Sequence, residues 1–249
     1  MTLSIEAAGI THRGTVREGN EDCIAVGFWS SQETMEAARR FDHSLAEPFV
    51  CAVADGMGGQ AGGEHASRLV ATTLARRLSL LGPSAVTASV RTVNTELYAQ
   101  VREHPERAGM GSTVVGLAAD ARRVAIFNVG DSRAYRVGEK GLVQLSVDDS
   151  MSPNWKLGSG IERNNKLLQC FGGRIAFSDI QPNLHREACE AGSTYLLCCD
   201  GLYETLLEEE MAALVGADLQ AAAEALLRAA LDKKARDNVT VALIRVREA

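Results

Sequence analysis

Short apolar runs separated by polar turns recur along the chain, a pattern typical of β-strands. The central run, 49–54, has no Gly or Pro and predicts a buried strand that ends at Asp55. A pair of strands is predicted within 123–137, joined at a tight turn that contains Asp131. Further strands are predicted at 4–11, 23–28, 111–118, 141–145, 175–184, 194–199 and 239–246.

Apolar residues recur at helical spacing in four other segments. These are 63–81, 84–103, a segment that begins near 208, and 219–231. Residues 30–47 are interpreted as a surface excursion with a short helix around 33–40, whereas 146–166 lack periodicity and predict a loop or flap. Because the helices come in pairs without strict strand–helix alternation, an α+β layered fold is predicted. No linker or repeat divides the chain, so 1–249 is expected to form one domain.

The composition narrows the classes of function. The 249 residues are 46% hydrophobic and 23% charged, as in soluble globular proteins. A net charge of −6 without long basic stretches argues against nucleic-acid binding. No apolar run reaches the roughly 20 residues of a membrane span, and the N-terminus has no basic-then-apolar signal segment. Six cysteines without a C-x-x-C pair predict a reducing, cytoplasmic location.

Asp55 is followed by a glycine-rich turn, 56–63, which allows backbone to approach a small ligand closely. A purely structural turn is one interpretation of this stretch. A second is the dinucleotide pattern G-x-G-x-x-A at 56–61, but that pattern needs an acid about 20 residues later and 76–80 contain none. The third is a metal site, because a carboxylate at the end of a buried strand is costly unless a cation neutralises it.

Five aspartates share this position at the start or end of a predicted strand, which favours the metal interpretation. They are Asp22, Asp55, Asp131, Asp200 and Asp237. Carboxylate oxygens suit Mg²⁺ or Mn²⁺ better than zinc. Two such ions about 4 Å apart would activate a water for hydrolysis of a phosphate ester. The guanidinium of Arg17 would then bind the phosphate.

The order and spelling of seven motifs resemble the PPM family of metal-dependent protein phosphatases, also called type 2C phosphatases. The motifs span residues 17–240. They are Arg17-x-x-x-Glu21-Asp22, Asp55-Gly56-Met57-Gly58-Gly59, Gly62-x-Glu64-x-Ala66-Ser67, Gly111-Ser112-Thr113, Val129-Gly130-Asp131-Ser132-Arg133, Cys199-Asp200-Gly201-Leu202 and Asp237-Asn238-Val239-Thr240.

The resemblance implies a four-layer α/β/β/α sandwich of two antiparallel sheets flanked by helix pairs. It also implies a set of ligands for Mn²⁺ or Mg²⁺. Asp55 would bridge two ions, the Gly56 carbonyl would bind one, and Asp200 and Asp237 would complete the site. Glu21 and Asp22 would act near the ions through water, and Asp131 would hold a third ion with Asp200. Arg17, Asp55 and Asp200 would be the catalytic residues.

Three positions depart from the family pattern. Many eukaryotic members have a histidine, a proposed general acid, where Met57 stands, and bacterial members often have one where Gln60 stands. The flap contains Asp148 and Asp149 where relatives usually show Asp-His-Ser, and it is short. A proton for the leaving group is therefore expected from metal-bound water or from another group. The two flap aspartates are expected to matter far less than the cluster.

The resemblance implies a cytoplasmic, monomeric phosphatase of bacterial style. Its substrates would be phosphoserine and phosphothreonine in proteins, and it would oppose a cognate Ser/Thr kinase. No nucleic-acid or membrane partner is expected. The alternative is a non-catalytic relative that binds phosphoproteins as a scaffold or regulator, against which the retention of every expected metal aspartate argues.

Overall fold

The computed structural model describes residues 2–58, 62–77 and 80–249, and within them the chain forms fifteen strands and five α-helices. The strands are β1 Leu3–His12, β2 Cys23–Val26, β3 Trp29–Ser31, β4 Arg39–Ser44, β5 Phe49–Ala54, β6 Gly56–Met57, β7 Gly111–Ser112, β8 Val114–Ala119, β9 Arg123–Val129, β10 Arg133–Gly138, β11 Gly141–Gln144, β12 Phe171–Gly172, β13 Asn183–Ala188, β14 Thr194–Cys198 and β15 Val239–Glu248. The helices are α1 Gly63–Ala75, α2 Pro83–Glu103, α3 Asp200–Tyr203, α4 Glu208–Leu214 and α5 Leu219–Asp232.

Two six-stranded antiparallel sheets make up the centre of the fold. One has the order β11-β10-β14-β15-β1-β4, and the other has the order β13-β9-β8-β5-β2-β3. In the first sheet β1 and β15 pair along their whole length, from Leu3 opposite Glu248 to His12 opposite Val239. A small third sheet, β12-β7-β6, lies beside α1 and α2. The first and last strands of the chain are therefore neighbours in one sheet.

Three separate apolar layers define four layers of secondary structure. Between the sheets, residues such as Val53, Val115 and Ile244 are fully buried. The outer face of the β5-containing sheet packs against α1 and α2, and the outer face of the β1-containing sheet packs against α3, α4 and α5. The predicted sandwich of two antiparallel sheets flanked by helices is confirmed.

The predicted short helix around 33–40 is wrong. Residues Arg39–Ser44 instead form β4, which pairs with β1 at a sheet edge. Its polar side chains alternate between exposed and half-buried because only one face of this edge strand lies on the protein. The helix predicted over 63–81 ends at Ala75, and Leu80 and Leu81 turn into the core. Residues 78 and 79 of that prediction lie outside the described residues.

Most of the strand predicted at 175–184 is irregular chain, and the strand lies later, as β13. The segment 146–166 has no strand or helix apart from an isolated bridge between Ser150 and Leu167, as the lack of periodicity predicts. No helix among the described ranges is both long enough and apolar enough to cross a membrane.

Candidate metal centre and active site

All five predicted aspartates lie at one end of the two sheets. Each precedes or follows a strand, namely β2 for Asp22, β5 for Asp55, β9 for Asp131, β14 for Asp200 and β15 for Asp237. A cleft of about 770 Å³ opens there. Its lining includes every predicted site residue except Asp22, which lies buried at 1% exposure: Arg17, Glu21, Asp55, Gly56, Asp131, Asp200 and Asp237.

Hydrogen bonds fix the turn that carries Asp55. The Thr113 amide donates to the Asp55 carbonyl at 2.9 Å, and the Asp55 amide donates to Thr113 Oγ1 at 3.2 Å. Thr113 Oγ1 also bonds Ser132 Oγ at 2.7 Å, which links this turn to the Asp131 turn. A Cβ atom on Gly56 would collide with the carbonyl oxygens of Glu21 and Gly63, so only glycine fits at this position. The strand end and its neighbours are therefore rigidly placed.

Asn238 connects the Arg17–Asp22 loop to β15. Its side chain accepts from the Glu21 amide at 2.8 Å and donates to the carbonyls of Arg13 and Gly19, each at 3.0 Å. Asp22 accepts a hydrogen bond from Thr240 Oγ1 at 2.6 Å. These bonds explain why Asp22 and Asp237, more than 200 residues apart in sequence, meet at one site.

The carboxylates are crowded and poorly solvated. Burial, followed by the charges of Asp22 and Asp200, raises the pKa of Asp55 well above its usual value. Burial raises the pKa of Asp22 to about 7, with the charges of Asp200 and Asp237 adding to the effect. Burial and the charge of Asp131 raise the pKa of Asp200 to about 6. Clustered carboxyls of this kind are stabilised in their ionised form by a divalent cation.

Two arginines neutralise part of this charge. Arg17 donates from Nε and Nη2 to both carboxylate oxygens of Asp237, at 2.9 and 2.7 Å. Arg163 donates to Asp131 at 2.7 Å and to Asp200 at 3.4 Å, and it forms an ion pair with Glu204. Arg17 lines the cleft and is 58% exposed, whereas Arg163 is 11% exposed and lies against Asp131 and Asp200.

Arg163 is a site residue that the sequence analysis missed. It belongs to the flap, where no periodicity or motif distinguishes it from the neighbouring polar residues. The hydroxyl of Tyr203 accepts from Arg163 at 3.0 Å and donates to the Asp131 carbonyl at 3.0 Å. The guanidinium of Arg163 also lies 5.5 Å from the centre of the Trp155 ring. No signal in a single sequence would have identified it.

The donor set suits a hard divalent cation, but its ligands are not gathered around one point. Within 2–58, 62–77 and 80–249, no three His, Cys, Asp or Glu side chains are arranged to hold an ion. Asp237 and Asp131 instead face Arg17 and Arg163. The donors nevertheless fit Mg²⁺ or Mn²⁺, because carboxylate oxygens and a backbone carbonyl are the ligands that these ions take. The two aspartates would exchange their guanidinium partners for the ion.

The flap aspartates have structural roles. Asp148 forms an ion pair with Arg133 at 2.7 Å in which both side chains are 2% exposed. Arg133 also donates to the Trp155 carbonyl at 2.6 Å, and Asp149 accepts from the Gly130 amide at 2.9 Å. These contacts attach the flap to the sheet end. Replacing either aspartate would therefore loosen the flap, and the expectation that they matter far less for activity than the cluster stays a prediction.

Met57, in β6, pairs with Gly111 and lines the cleft. No histidine lines the cleft within the described residues. Gln60, the second position where relatives carry a histidine, lies outside the described residues.

The sequence profile of the Protein phosphatase 2C family matches residues 38–236, and the chain belongs to this family. It is 30% identical to the serine/threonine protein phosphatase PstP of Mycobacterium tuberculosis over 97% of this chain and 45% of that protein. The chain thus spans about half the length of this curated relative. It is 28% identical to the serine/threonine phosphatase stp of Listeria monocytogenes, over 94% of this chain and 93% of that protein.

Solved structures support the same family. The crystal structure of M. tuberculosis PstP matches with a TM-score of 0.79 and 29% identity, over the whole of both chains. The catalytic domain of PstP in complex with two manganese ions matches with a TM-score of 0.78 and 31% identity, over 99% of this chain and 100% of that one.

Proposed function

We propose that this chain is a metal-dependent phosphatase that hydrolyses phosphoserine and phosphothreonine in proteins. The observation that carries the proposal is an open cleft lined by four aspartates. The pKa values of three of them, Asp55, Asp131 and Asp200, are raised by burial and by neighbouring carboxylates. The family membership and the names of the relatives support the same reaction and substrate class.

Mn²⁺ or Mg²⁺ would be held by Asp55, the Gly56 carbonyl, Asp200 and Asp237. The similar catalytic domain of PstP is in complex with two manganese ions, which supports the choice of metal. Glu21 and Asp22 would support the site through water, and Asp131 would share a third ion with Asp200. When bound, the divalent cations supply Lewis-acid activation of a water nucleophile and compensation of the phosphate charge near neutral pH.

The chain's own residues would then bind and orient the substrate. If Asp237 held a metal ion, Arg17 would lose its carboxylate partner in the cleft. Its planar guanidinium would bind two phosphate oxygens. Arg163 would likewise separate from Asp131 and Asp200 if these residues held metal ions. Its guanidinium would then still be stabilised by the nearby Trp155 ring.

The proposal extends to the substrates, the partner kinase, the oligomeric state and the location of the protein. We expect phosphoprotein substrates, a cognate Ser/Thr kinase whose products the enzyme reverses, and action as a monomer. All six cysteines are free thiols, which supports a location in the reducing cytoplasm.

One observation favours a non-catalytic scaffold as the second candidate. Arg17 and Arg163 occupy Asp237 and Asp131, and guanidinium groups that stayed there permanently would leave no metal site. The two candidates differ in their response to metal ions, because only an enzyme requires these pairs to open.

The test is hydrolysis of a panel of phosphoserine and phosphothreonine peptides, first in chelator and then with Mn²⁺ or Mg²⁺ restored. The proposal predicts phosphate release that disappears in chelator and returns with metal. Peptide binding without phosphate release at any metal concentration would establish the scaffold, and full activity in excess chelator would exclude the metal mechanism.

A further inference from the structure

A second groove opens directly from the catalytic cleft. It has a volume of about 840 Å³ and shares Val16, Arg17 and Asp237 with the cleft. The connection between α5 and β15 forms one wall, and Gly201 and Glu204 of the Asp200 segment form another. A substrate whose phosphate lies at Arg17 would therefore continue into this groove.

The lining of the groove carries an excess of positive charge. Its four cations are Arg17, Lys233, Lys234 and Arg236, and its two acids are Glu204 and Asp237. Each acid already has a cationic partner, because Glu204 pairs with Arg163 and Asp237 pairs with Arg17. The whole protein has a net charge of −6, so this local excess is opposite in sign to the rest of the molecule.

Two of these cations are exposed and have no fixed partner. Lys233 forms an ion pair with Glu210 at 2.6 Å. Among the residues that the structure describes, the side chains of Lys234 and Arg236 make no hydrogen bond or ion pair. Both remain able to bind an anion that enters the groove.

The backbone beneath these side chains is fixed in a conformation that is unfavourable for lysine. Lys234 has φ 60°, and among the non-glycine residues that the structure describes it alone has a positive φ. Its amide donates to the Leu231 carbonyl, and the Ala235 amide donates to the Ala230 carbonyl, each at 2.9 Å. The Ala235 carbonyl in turn accepts from the amide of Thr15. Glycine is the usual residue at this position after a helix. A lysine that keeps this unfavourable conformation in place of glycine is consistent with a role for its side chain.

We propose that this groove binds a second anionic group of the phosphoprotein substrate, either a carboxylate or another phosphate, and so gives the enzyme a preference for acidic phosphopeptides. The proposal rests on the phosphatase function above. The groove adjoins Arg17 and shares it with the cleft, so the second anion would lie within a few residues of the phosphoserine. The test places it three residues away, about 10 Å along an extended peptide.

The test compares three peptides that share one phosphoserine. Three residues away, on either side in separate series, they carry alanine, glutamate or a non-hydrolysable phosphonate analogue of phosphoserine. Rates of phosphate release give kcat/KM with Mn²⁺, and fluorescence anisotropy gives the affinity of each peptide. The affinity measurement tests the groove even where no hydrolysis occurs, so failure of the groove and failure of the phosphatase function remain distinguishable.

The variants are Lys234→Gly and Arg236→Ala, with Lys140→Ala in the exposed turn between β10 and β11 as a matched control. Glycine adopts the left-handed conformation of this position without the cost that a lysine side chain brings, so Lys234→Gly is expected to fold and a loss of binding would report the missing charge. Each variant should lose about three- to five-fold in kcat/KM and in affinity for the acidic peptides, since exposed charge pairs contribute modestly. The alanine peptide should be unaffected, and raising the salt concentration should remove the difference.

A larger effect with the phosphonate than with glutamate identifies a second phosphate as the ligand, and equal effects identify any carboxylate or phosphate. Equal kcat/KM and equal affinity for all three peptides in both series would overturn the proposal. It would also be overturned by an acidic preference that persists unchanged in both variants.

Discussion

Replacing Arg163 with methionine should destabilise the protein strongly in chelator and only slightly in excess Mn²⁺. The change keeps most of the apolar stem and removes the guanidinium that lies among Asp131, Asp200 and Glu204. In chelator the three acids would lose their cation. In Mn²⁺ an ion shared by Asp131 and Asp200 would replace it.

The size of the stability loss expected for Arg163→Met in chelator follows from how deeply the ion pair is buried. Arg163, Asp131 and Asp200 are 11%, 8% and 19% exposed, so the pair is largely shielded from water. Breaking a buried ion pair by removing one partner costs about 3–5 kcal/mol. Because the pKa of Asp200 is raised to about 6, protonation would relieve part of this cost in acid, so the measurement belongs at pH 8. A loss of about 3 kcal/mol corresponds to a fall in Tm of roughly 6–12 °C for a protein of this size.

The assay is thermal denaturation followed by circular dichroism, in chelator and in excess Mn²⁺. The control is Arg91→Met, because Arg91 pairs with Asp179 on the surface, where the side chains are 48% and 54% exposed. The free energy of unfolding of Arg91→Met should fall by less than about 1 kcal/mol, both in chelator and in Mn²⁺. If Arg163→Met loses the same stability with and without Mn²⁺, or loses none in chelator, then Arg163 and metal ions do not compete for these acids.

Three further predictions concern other parts of the site. Arg17→Ala should mainly raise KM for a phosphopeptide, because a contact to the bound phosphate is lost; a fall in kcat alone would contradict that role. Asp131→Ala should reduce kcat/KM for a phosphoserine peptide much more than for an aryl phosphate, whose leaving group needs no proton, while two metal ions stay bound; equal losses would exclude proton delivery from the third site. In chelator, the free energy of unfolding should fall as pH rises from about 4 to 7, because folded Asp22, with a pKa of about 7, holds a proton that unfolded Asp22 releases near 3.8. Mn²⁺ should flatten that profile, and a stability that rises over this range in chelator would refute the assignment.

The buried strands and the positions of the aspartates could be predicted from the sequence because both depend on local pattern. The run that forms β5 is apolar throughout, and Asp55 follows it directly. The strand ends of an antiparallel sandwich gather at the two ends of its sheets, so aspartates at strand ends come close together. The edge strand β4 could not be predicted, since its polar side chains carry no periodic signal and its pairing with β1 supplies the structure.

The cationic side of the site depends on contacts that no local pattern encodes. Arg17 and Asp237 are 220 residues apart, and their pairing depends on the Asn238 bonds that connect two loops. Arg163 lies in a flap without periodicity, and its position follows from the buried Arg133–Asp148 pair that attaches the flap to the sheet end. The sequence therefore predicted the acids of the cleft, but it did not predict which cations would face them.

The central claim is that Asp55 and its neighbours bind the metal ions on which hydrolysis depends. The most direct measurement is Mn²⁺ binding by isothermal titration calorimetry, together with turnover of a phosphoserine peptide in the same samples. It would use the unmodified chain, Asp55→Asn, and the exposed control Asp179→Asn. We expect two tightly bound ions and full turnover in the unmodified chain and the control. In Asp55→Asn we expect weakened metal binding and a loss of turnover of at least roughly 10²-fold. Unchanged Mn²⁺ binding and unchanged turnover in Asp55→Asn would show that Asp55 does not hold the metal ions.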